Sequence, residues 1–467
     1  MPLWSRDDFL AAISGNVRGD VSNHVTGISI DSREINDGDA FFAIQGDNFD
    51  GHDFAERAIE AGAAIAICQI GRFEEGSGPF PRLEVVDVLG ALEGLGEASR
   101  ARVKGIVIAV TGSVGKTSTK EALRIAFRTF GEVHASIASF NNHWGVPLSL
   151  ARMPADVATG IFEVGMNHPG EISPLTKMIR PDIAIITNVE AVHMEAFNNV
   201  LGIAAAKAEI FEGLESGGAA ILNRDNKYFS YLSEIAEEKS AKIVSFGENK
   251  QADIRIEDLI LKPDCSVVKA RIFETKLTYK INAPGRHMAM NSLAVLAAVH
   301  VAGKDLARAA LALAEWAPPI GRGSRHEFQL GSETLTLIDE SYNANPASMR
   351  AAILTLGQSD VTAGGRRIAV LGDMLELGEQ SGALHAGLSE AIANAGIDLV
   401  FTAGTDMESL YDALPSLLRG GHEVDAAALA KSLPKKIGPG DVVMVKGSNG
   451  SRMMDVVAAI ESWLRGN

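Results

Sequence analysis

The chain has 467 residues, 46% of them hydrophobic and 22% charged, with 59 acidic against 43 basic side chains and a formal charge of −16. At ~150 residues per domain this length calls for about three domains, and the acidic balance argues against nonspecific binding to nucleic acid or to anionic membranes, which needs a basic surface. Two cysteines far apart in sequence, Cys68 and Cys265, form neither a disulfide framework nor a metal-binding pair.

Such sparse cysteine use fits a reducing cytosol. Cys68, at the end of an apolar run, reads as a buried free thiol. The acidic N-terminus lacks signal-peptide character, and no apolar run reaches the ~18–20 residues that a bilayer crossing requires. The expectation is a cytoplasmic protein.

The chain opens with Ser5-Arg-Asp-Asp8 before Phe9-Leu10, which resembles a capping box and starts a short helix. Strand-like runs follow at 26–30, 40–43 and 64–67, with a helix over 52–63, so a small α/β unit comes first. Asp31-Ser32-Arg33 and the glycine loop from Gly46 to His52 sit at strand ends, where α/β sheets commonly bind ligands, although such triplets are also ordinary turns. A helix over 88–102 leads to the apolar run 106–110. That run breaks at Gly112-Ser113-Val114-Gly115, and Lys116-Thr117 then open a helix reaching about 130.

Strand, glycine turn, Lys-Thr and helix make a phosphate cradle. Backbone N–H groups and the helix N-terminus face the phosphates, the lysine reaches the β and γ positions, and the threonine hydroxyl can ligate Mg²⁺. Val110 stands where the strict G-x-x-x-x-G-K-[ST] pattern has its first glycine, so the motif is the shorter TGSVGKT.

Beyond the cradle, strands over 159–164 and 182–189 alternate with helical stretches over 204–214 and 288–301, which argues a largely parallel sheet covered on both faces. Residues 254–281 alternate apolar and polar side chains and read as an antiparallel insert. Trp316-Ala-Pro-Pro319 is a linker, since Pro-Pro cannot continue a helix. After it come strand 335–338, helix 348–358, strand 367–371, helix 382–395, strands 399–402 and 441–446, and helix 452–464. The predicted fold class is α/β in three domains: a small N-terminal α/β domain over 1–95, a central doubly wound, mostly parallel phosphate-loop domain over 96–317, and a C-terminal Rossmann-like domain over 318–467.

Several strand ends carry candidate chemistry. Glu163 ends the run GIFEVG, where a carboxylate faces the nucleotide crevice and can ligate Mg²⁺; a solvated strand end is the other reading. His193 follows IAIITNVEAV and is either a ligand or a structural histidine. Lys207, alone on the alanine-rich AAAKAEIF, is either a surface lysine or one buried with a lowered pKa and open to modification by CO₂. Asn141 and Asn142 offer neutral amides for a substrate carboxylate or amide. Asp339-Glu340-Ser341-Tyr342-Asn343-Ala344-Asn345-Pro346 crowds more polar groups onto one strand end than a structural loop needs.

Taken together, TGSVGKTSTKE, NNHWGVPLSL, FEVGMNHPGEI, ITNVEAVHMEAF, AAAKAEIF, PGRHMAMNSLAV, DESYNANPASM, LGDMLELGE and VKGSNGSRM are collinear, and with a weaker N-terminal match they span about 31–453. In these stretches the chain resembles the ATP-dependent Mur ligases of bacterial cell-wall synthesis, and within them the branch that adds D-alanyl-D-alanine. The DNPR stretch expected of the diaminopimelate- or lysine-adding members is absent.

The resemblance implies an ATP-dependent ligase joining D-Ala-D-Ala to a UDP-N-acetylmuramoyl-tripeptide through an acyl phosphate, with ATP and Mg²⁺, small-molecule partners, no nucleic acid or stable membrane insertion, and a monomeric state. It implies catalytic roles for Lys116, Lys207 and His193, and a metal site of Thr117, Glu163, His193 and a carbamylated Lys207. Nucleotide contacts would come from Gly112, Ser113, Gly115, Lys116, Thr117, Ser118, Asn291, Asp339, Glu340 and Arg325, with Arg322 the alternative to Arg325. Ser32, Arg33 and His52 would grip the UDP-sugar, while Asn343, Asn345, Lys446, Ser448 and Arg452 would line the incoming dipeptide side.

Overall fold

Among the described residues, three sheets and one two-strand pairing carry the fold, built from the short β-branched runs that alternate with helices in the sequence. The structure, a computed structural model, describes residues 2–46, 49–73, 80–137, 139–192, 194–362 and 364–466. The first sheet runs in the order Asn16–Arg18, Arg82–Val85, Ile65–Gln69, Asp39–Phe42, Gly27–Ser29, parallel except at its first pairing. Helix Arg6–Ala12 precedes it, with the Ser5 hydroxyl accepting the Asp8 N–H. The helix expected over 52–63 begins instead as a tight turn, Gly51–Phe54, and becomes α-helical only over Ala55–Glu60.

Helix Val88–Arg102, capped by Asp87, leads into the central sheet. That sheet has nine strands in the order Thr275–Ile281, Ser266–Ile272, Ile254–Leu261, Lys242–Gly247, Ala219–Asn223, Ile183–Ile186, Ile106–Thr111, Thr159–Glu163, Val133–Ala135. The antiparallel segment is real, but it is joined to the parallel sheet: Phe246 pairs with Ile254 and Gly247 with Arg255. The run 182–189 is strand only over Ile183–Ile186, because Thr187 and Asn188 turn away at the sheet's carboxyl edge.

The third sheet runs Ser324–Leu330, Glu333–Glu340, Val442–Lys446, Arg367–Gly372, Leu399–Ala403, Arg419–Glu423, antiparallel only at its first pairing. The helix expected over 382–395 is two helices, Ser381–Ala386 and Leu388–Asn394, divided at Gly387.

The apolar cores do not divide as the sheets do. Leu148 and Ala151, on helix Gly145–Ala151 of the central part, are buried in the same cluster as Trp4, Phe9, Ile65 and Leu92. Trp4 Nε1 donates to Ala151 O at 3.3 Å, the Arg102 guanidinium lies 3.5 Å over the Trp4 ring, and Arg152 Nε donates to Ile28 O at 2.7 Å. Among the described residues, the two apolar clusters of the third sheet contain no buried residue from before Leu335.

Candidate active site

In the central sheet, strand Ile106–Thr111 lies between Ile183–Ile186 and Thr159–Glu163, where the order of strands reverses. Such a switch point opens a crevice at the carboxyl ends of the strands. The glycine turn enters it. Gly112 and Gly115 have φ of 151° and 84°, and both lack room for a side chain: a Cβ at Gly112 would collide with the Thr187 hydroxyl, and one at Gly115 would stand 2.9 Å from the Asn291 amide. Helix Lys116–Phe127 then starts with first-turn N–H groups free of intrahelical partners and its positive end toward the crevice.

The first polar side chains of this helix are held from both sides. Lys116 Nζ donates to Gly112 O at 2.7 Å, so the ammonium folds back over its own loop. Burial lowers the Lys116 pKa; Glu163 opposes that shift and Arg322 adds to it. The Thr117 hydroxyl donates to Glu163 Oε2 at 2.8 Å, and Asn141 Nδ2 donates to Glu163 Oε1 at 2.8 Å. Glu163 itself is 1% exposed, a carboxylate at a strand end rather than a solvated one. Ser113 hydrogen-bonds with the backbone of Glu190 in both directions, at 3.1 and 3.0 Å, and fixes the loop against the strand end beside it.

A cleft of about 580 Å³ extends from this loop to the third sheet. Ser113, Gly115, Lys116, Thr117, Ser118, Asn141, Glu163, Asn291, Arg322, Glu340, Asn343, Asn345 and Lys446 all line it. Glu340 and Lys446 are register partners on adjacent parallel strands, and Lys446 Nζ contacts Glu340 Oε2 at 3.2 Å and Asn343 O at 2.9 Å. Asn345 caps helix Pro346–Gly357, so its side chain is committed to the Ser348 N–H.

Between the two arginines left open by sequence, geometry separates the roles. Arg322 stacks 4.1 Å over the Tyr342 ring and reaches Ser139 across the cleft at 3.4 Å. Arg325 does not line the cleft; it points to Ser359 Oγ at 2.9 Å. The Asp339-Glu340 pair divides in the same way, because successive strand residues face opposite sides. Asp339 is buried and accepts from Ser341 N–H and Oγ and from Gly321 N–H, which anchors the linker, so its oxygens are not offered to a nucleotide.

Other expected contacts are structural here. Both ring nitrogens of His52 are engaged: Nε2 accepts the Gln69 N–H at 2.9 Å, which leaves the proton on Nδ1 for Asp50 at 2.6 Å. Asn142 Oδ1 accepts the Gly145 N–H at 2.9 Å where helix Gly145–Ala151 begins, so this amide is engaged by its own backbone. Ser448 is buried behind the cleft, accepting the Leu375 N–H at 2.9 Å and donating to Ala344 O at 3.3 Å. Arg452 adopts φ 57°, is 75% exposed, and pairs with Asp455.

Ser32 and Arg33 follow strand Gly27–Ser29 outside the cleft lining; Arg33 grips Asp31 at 2.8 Å and holds that carboxyl down to about 2. Lys207 is 2% exposed and is not a surface lysine; burial, with the Lys116 charge added, places its pKa well below the ordinary lysine value. His193, expected at the metal site, lies outside the described residues.

Sequence reasoning passed over Asn188, Asn223 and His287, all of which line the cleft, as does Tyr342 of the polar stretch 339–346. Asn188 and Asn223 stand at the carboxyl ends of neighbouring parallel strands, and the strand-end rule applied to Glu163 would have found them. His287 is held neutral-leaning by burial, with Glu340 opposing and Lys446 reinforcing the shift.

Residues 24–108 match the model described as the Mur ligase family, catalytic domain, residues 110–299 the Mur ligase middle domain, and residues 324–449 the Mur ligase, glutamate ligase domain. The chain is 33% identical to the UDP-N-acetylmuramoyl-tripeptide–D-alanyl-D-alanine ligase of Rickettsia prowazekii, over 97% of this chain and 99% of that protein. It is also 33% identical to the enzyme of that name from Escherichia coli, over 93% of each. Among solved structures it is similar to MurF from Acinetobacter baumannii, with TM-score 0.86, 27% identity and 99% of both chains covered. It is likewise similar to MurF ligase from Thermotoga maritima in complex with ADP, with TM-score 0.79, 26% identity, and 94% of this chain and 98% of that one covered.

Proposed function

The chain belongs to the Mur ligase family, and we infer that within it this protein joins D-alanyl-D-alanine to a UDP-N-acetylmuramoyl-tripeptide, cleaving ATP to ADP and phosphate, in the making of peptidoglycan precursors. The observation that carries this reading is one cleft in which Lys116, Thr117 and Glu163 of the phosphate loop face Arg322, Glu340 and Lys446 from beyond the linker.

A carboxylate is a poor electrophile. In the reaction the tripeptide carboxylate oxygen attacks the γ phosphorus and the bond to ADP breaks. The dipeptide amine then attacks the acyl carbon, the C–O bond to phosphate breaks, and the nitrogen loses a proton. The protein's part is alignment and charge neutralisation rather than a covalent nucleophile. On this reading Lys116 leaves the Gly112 carbonyl for the phosphates, the helix N-terminus stabilises the leaving ADP, and Arg322 meets the γ phosphate from the opposite wall. Glu340 and Lys446, locked in register, shape the wall shared by nucleotide and dipeptide, with Asn343 beside them.

Mg²⁺ commonly binds through one or two carboxylates together with substrate phosphates, and the Thr117 hydroxyl on the Glu163 carboxylate fits that donor set. Among the described residues no three His, Cys, Asp or Glu side chains converge as a self-sufficient metal cage, so phosphate oxygens would complete the shell. When bound, the ion would neutralise phosphate charge. Lys207 would serve the same side of the cleft as a carbamate, an anion formed from its uncharged amine and CO₂.

The reading assigns residues 1–95 to the UDP-sugar, 96–317 to ATP and 318–467 to the dipeptide, in a cytoplasmic monomer. No helix among the described residues is long and apolar enough to cross a membrane. The test is phosphate release from the purified protein with ATP and Mg²⁺. It should require both UDP-N-acetylmuramoyl-tripeptide and D-Ala-D-Ala; turnover indifferent to either would overturn the assignment.

A further inference from the structure

Arg322 enters the cleft from a turn that leaves it little choice of direction. It stands between Gly321 and Gly323, with φ of 74° and 102°. Gly321 N–H donates to Asp339 Oδ2 at 3.1 Å, Gly321 O accepts the Tyr342 N–H at 3.0 Å, and Gly323 N–H donates to Asp339 O at 2.7 Å. The backbone on both sides of the arginine is thus tied to the end of strand Glu333–Glu340 and to Tyr342 just beyond it. Both glycines press on that strand end. A Cβ at Gly321 would stand 2.9 Å from the Tyr342 Cβ, and one at Gly323 would stand 3.1 Å from Glu340 Oε1.

The side chain is held by other means. Arg322 Cζ lies 4.1 Å from the centroid of the half-buried Tyr342 ring, and Nη2 donates at 3.4 Å to the hydroxyl of Ser139, two residues before Asn141 on the far wall. An aromatic face attracts a guanidinium through its quadrupole and covers the guanidinium plane. It takes none of the N–H groups, which point outward from the guanidinium edge. A carboxylate partner would also orient the arginine, but it would occupy those donors and offset the charge. The ring does neither. Arg322 therefore faces the phosphate loop with its charge and most of its donors kept, and that charge is felt at Lys116.

We propose that Tyr342 is a positioning residue: its ring, with the Gly321–Gly323 turn, holds the Arg322 guanidinium across the cleft with its N–H edge free for the γ phosphate of ATP. The ring acts through the arginine rather than on the substrate. It removes in advance the rotamer freedom of a long side chain, which phosphate binding would otherwise have to freeze. The proposal rests on the reading of Arg322 as the group that meets the γ phosphate.

The experiment compares the wild type with Tyr342→Leu, Tyr342→Phe, Arg322→Ala and the Tyr342→Leu/Arg322→Ala double variant. Phosphate release is measured with ATP, Mg²⁺, UDP-N-acetylmuramoyl-tripeptide and D-Ala-D-Ala. Calorimetry gives Kd for ADP and for a non-hydrolysable ATP analogue. Between its exposed and desolvated limits a cation–π contact corresponds to about two- to thirtyfold in affinity. For this half-buried pair, Tyr342→Leu should raise KM for ATP about three- to tenfold and leave KM for D-Ala-D-Ala and for the UDP-tripeptide within about twofold. The analogue should weaken by a similar factor, whereas ADP, with no γ phosphate for the guanidinium to meet, should stay within about twofold. Tyr342→Phe should recover most of the loss, since it keeps the ring. Beside Arg322→Ala, Tyr342→Leu should add less than about twofold, because the group it aims is gone.

An unchanged ATP KM in Tyr342→Leu, an equal rise in KM for D-Ala-D-Ala, or independent effects of the two substitutions overturns the proposal. Gly321→Ala supplies a second perturbation, since its methyl pushes the turn off Tyr342 and leaves the ring in place. It should reproduce the selective rise in ATP KM, and an effect undiminished beside Arg322→Ala overturns the proposal as well. Failure of the underlying reading shows elsewhere, as an Arg322→Ala protein that binds the analogue as tightly as the wild type does. A weakened Arg322→Ala together with an unaffected Tyr342→Leu overturns the proposal alone.

Discussion

Two lysines of the central part are equally hidden, and replacing each by methionine should move stability in opposite directions. Lys120 is 0% exposed and Lys207 2%. Lys120 Nζ donates to Ser136 O at 2.7 Å and pairs with Glu121 at 3.0 Å. Burial disfavours the charged form of Lys207, and the charge acting on it is that of Lys116, of like sign. Burying a polar group without full compensation costs about 1–3 kcal/mol, and a hydrogen bond made by a charged group contributes about 1.5–3 kcal/mol. Lys207→Met removes the first penalty while keeping most of the side-chain volume. Lys120→Met removes the second gain, while Glu121 keeps Arg124 at 2.8 Å.

At about 2–4 °C per kcal/mol for a unit of 150–250 residues, Lys207→Met should melt several degrees higher and Lys120→Met several degrees lower than the wild type. The pH dependence has a definite sign. The pKa of Lys207 is lower in the folded than in the unfolded chain. Between those two values the unfolded chain binds a proton that the folded chain does not, so stability falls as pH drops below about 10.4. The advantage of Lys207→Met should therefore be greatest at neutral and lower pH and shrink toward pH 10. Thermal melts by circular dichroism in bicarbonate-free buffer read this out, and the stabilised variant should have lost phosphate release. A Lys207→Met protein less stable than the wild type at pH 7, or a stabilised Lys120→Met, refutes the reasoning.

Glu163→Gln keeps an acceptor for Thr117 or Asn141 but no negative charge, so kcat should fall about 10²–10³-fold with the melting temperature little changed, as loss of one positioned electrostatic group does; an active Glu163→Gln would count against Glu163 as the metal-side carboxylate. Arg322→Ala should raise KM for ATP about ten- to a hundredfold, as expected when a charged hydrogen bond worth about 1.5–3 kcal/mol is lost, whereas Arg325→Met should leave it within about twofold; steady-state kinetics on both variants separates the two. Burial lowers the pKa values of His134 and His287. Below about pH 6.5 the unfolded chain takes those protons first, so the unfolding free energy measured by urea titration should fall on acidification, by up to about 1.4 kcal/mol per pH unit for each histidine. The slope should flatten in the His134→Gln/His287→Gln variant.

What could be read from sequence was local. The phosphate loop is specified by glycines, Lys116 and Thr117 within a few residues, and helix Val88–Arg102 by an aspartate cap and a long continuous run. Directions were not legible. Asp339 and Glu340 are adjacent on a strand and must face opposite ways, yet composition cannot say which one meets the cleft; that depends on Lys446 arriving beside Glu340 from 106 residues away. Arg322 and Arg325 pose the same problem on either side of a turn. Asn142 and His52 look like ligand groups in sequence because amides and imidazoles also cap helices and hold loops, and only the partners Gly145 N–H and Gln69 N–H reveal that use. Strands Ala219–Asn223 and Lys242–Gly247 went unread because a short buried run has no periodicity to mark it.

The apolar cluster that runs from Trp4 and Phe9 into Leu148 and Ala151 has a consequence for how the molecule comes apart. Residues that share one core lose it together, so the first and second sheets form a single cooperative unit despite having separate strands. Beyond Trp316 the third sheet keeps its apolar clusters to itself, joined to the rest by Pro318-Pro319 and by polar contacts such as Arg322 with Ser139. Calorimetry should resolve two endotherms rather than three, and the smaller one should belong to the C-terminal part. A bound nucleotide, touching both units, should draw the two together.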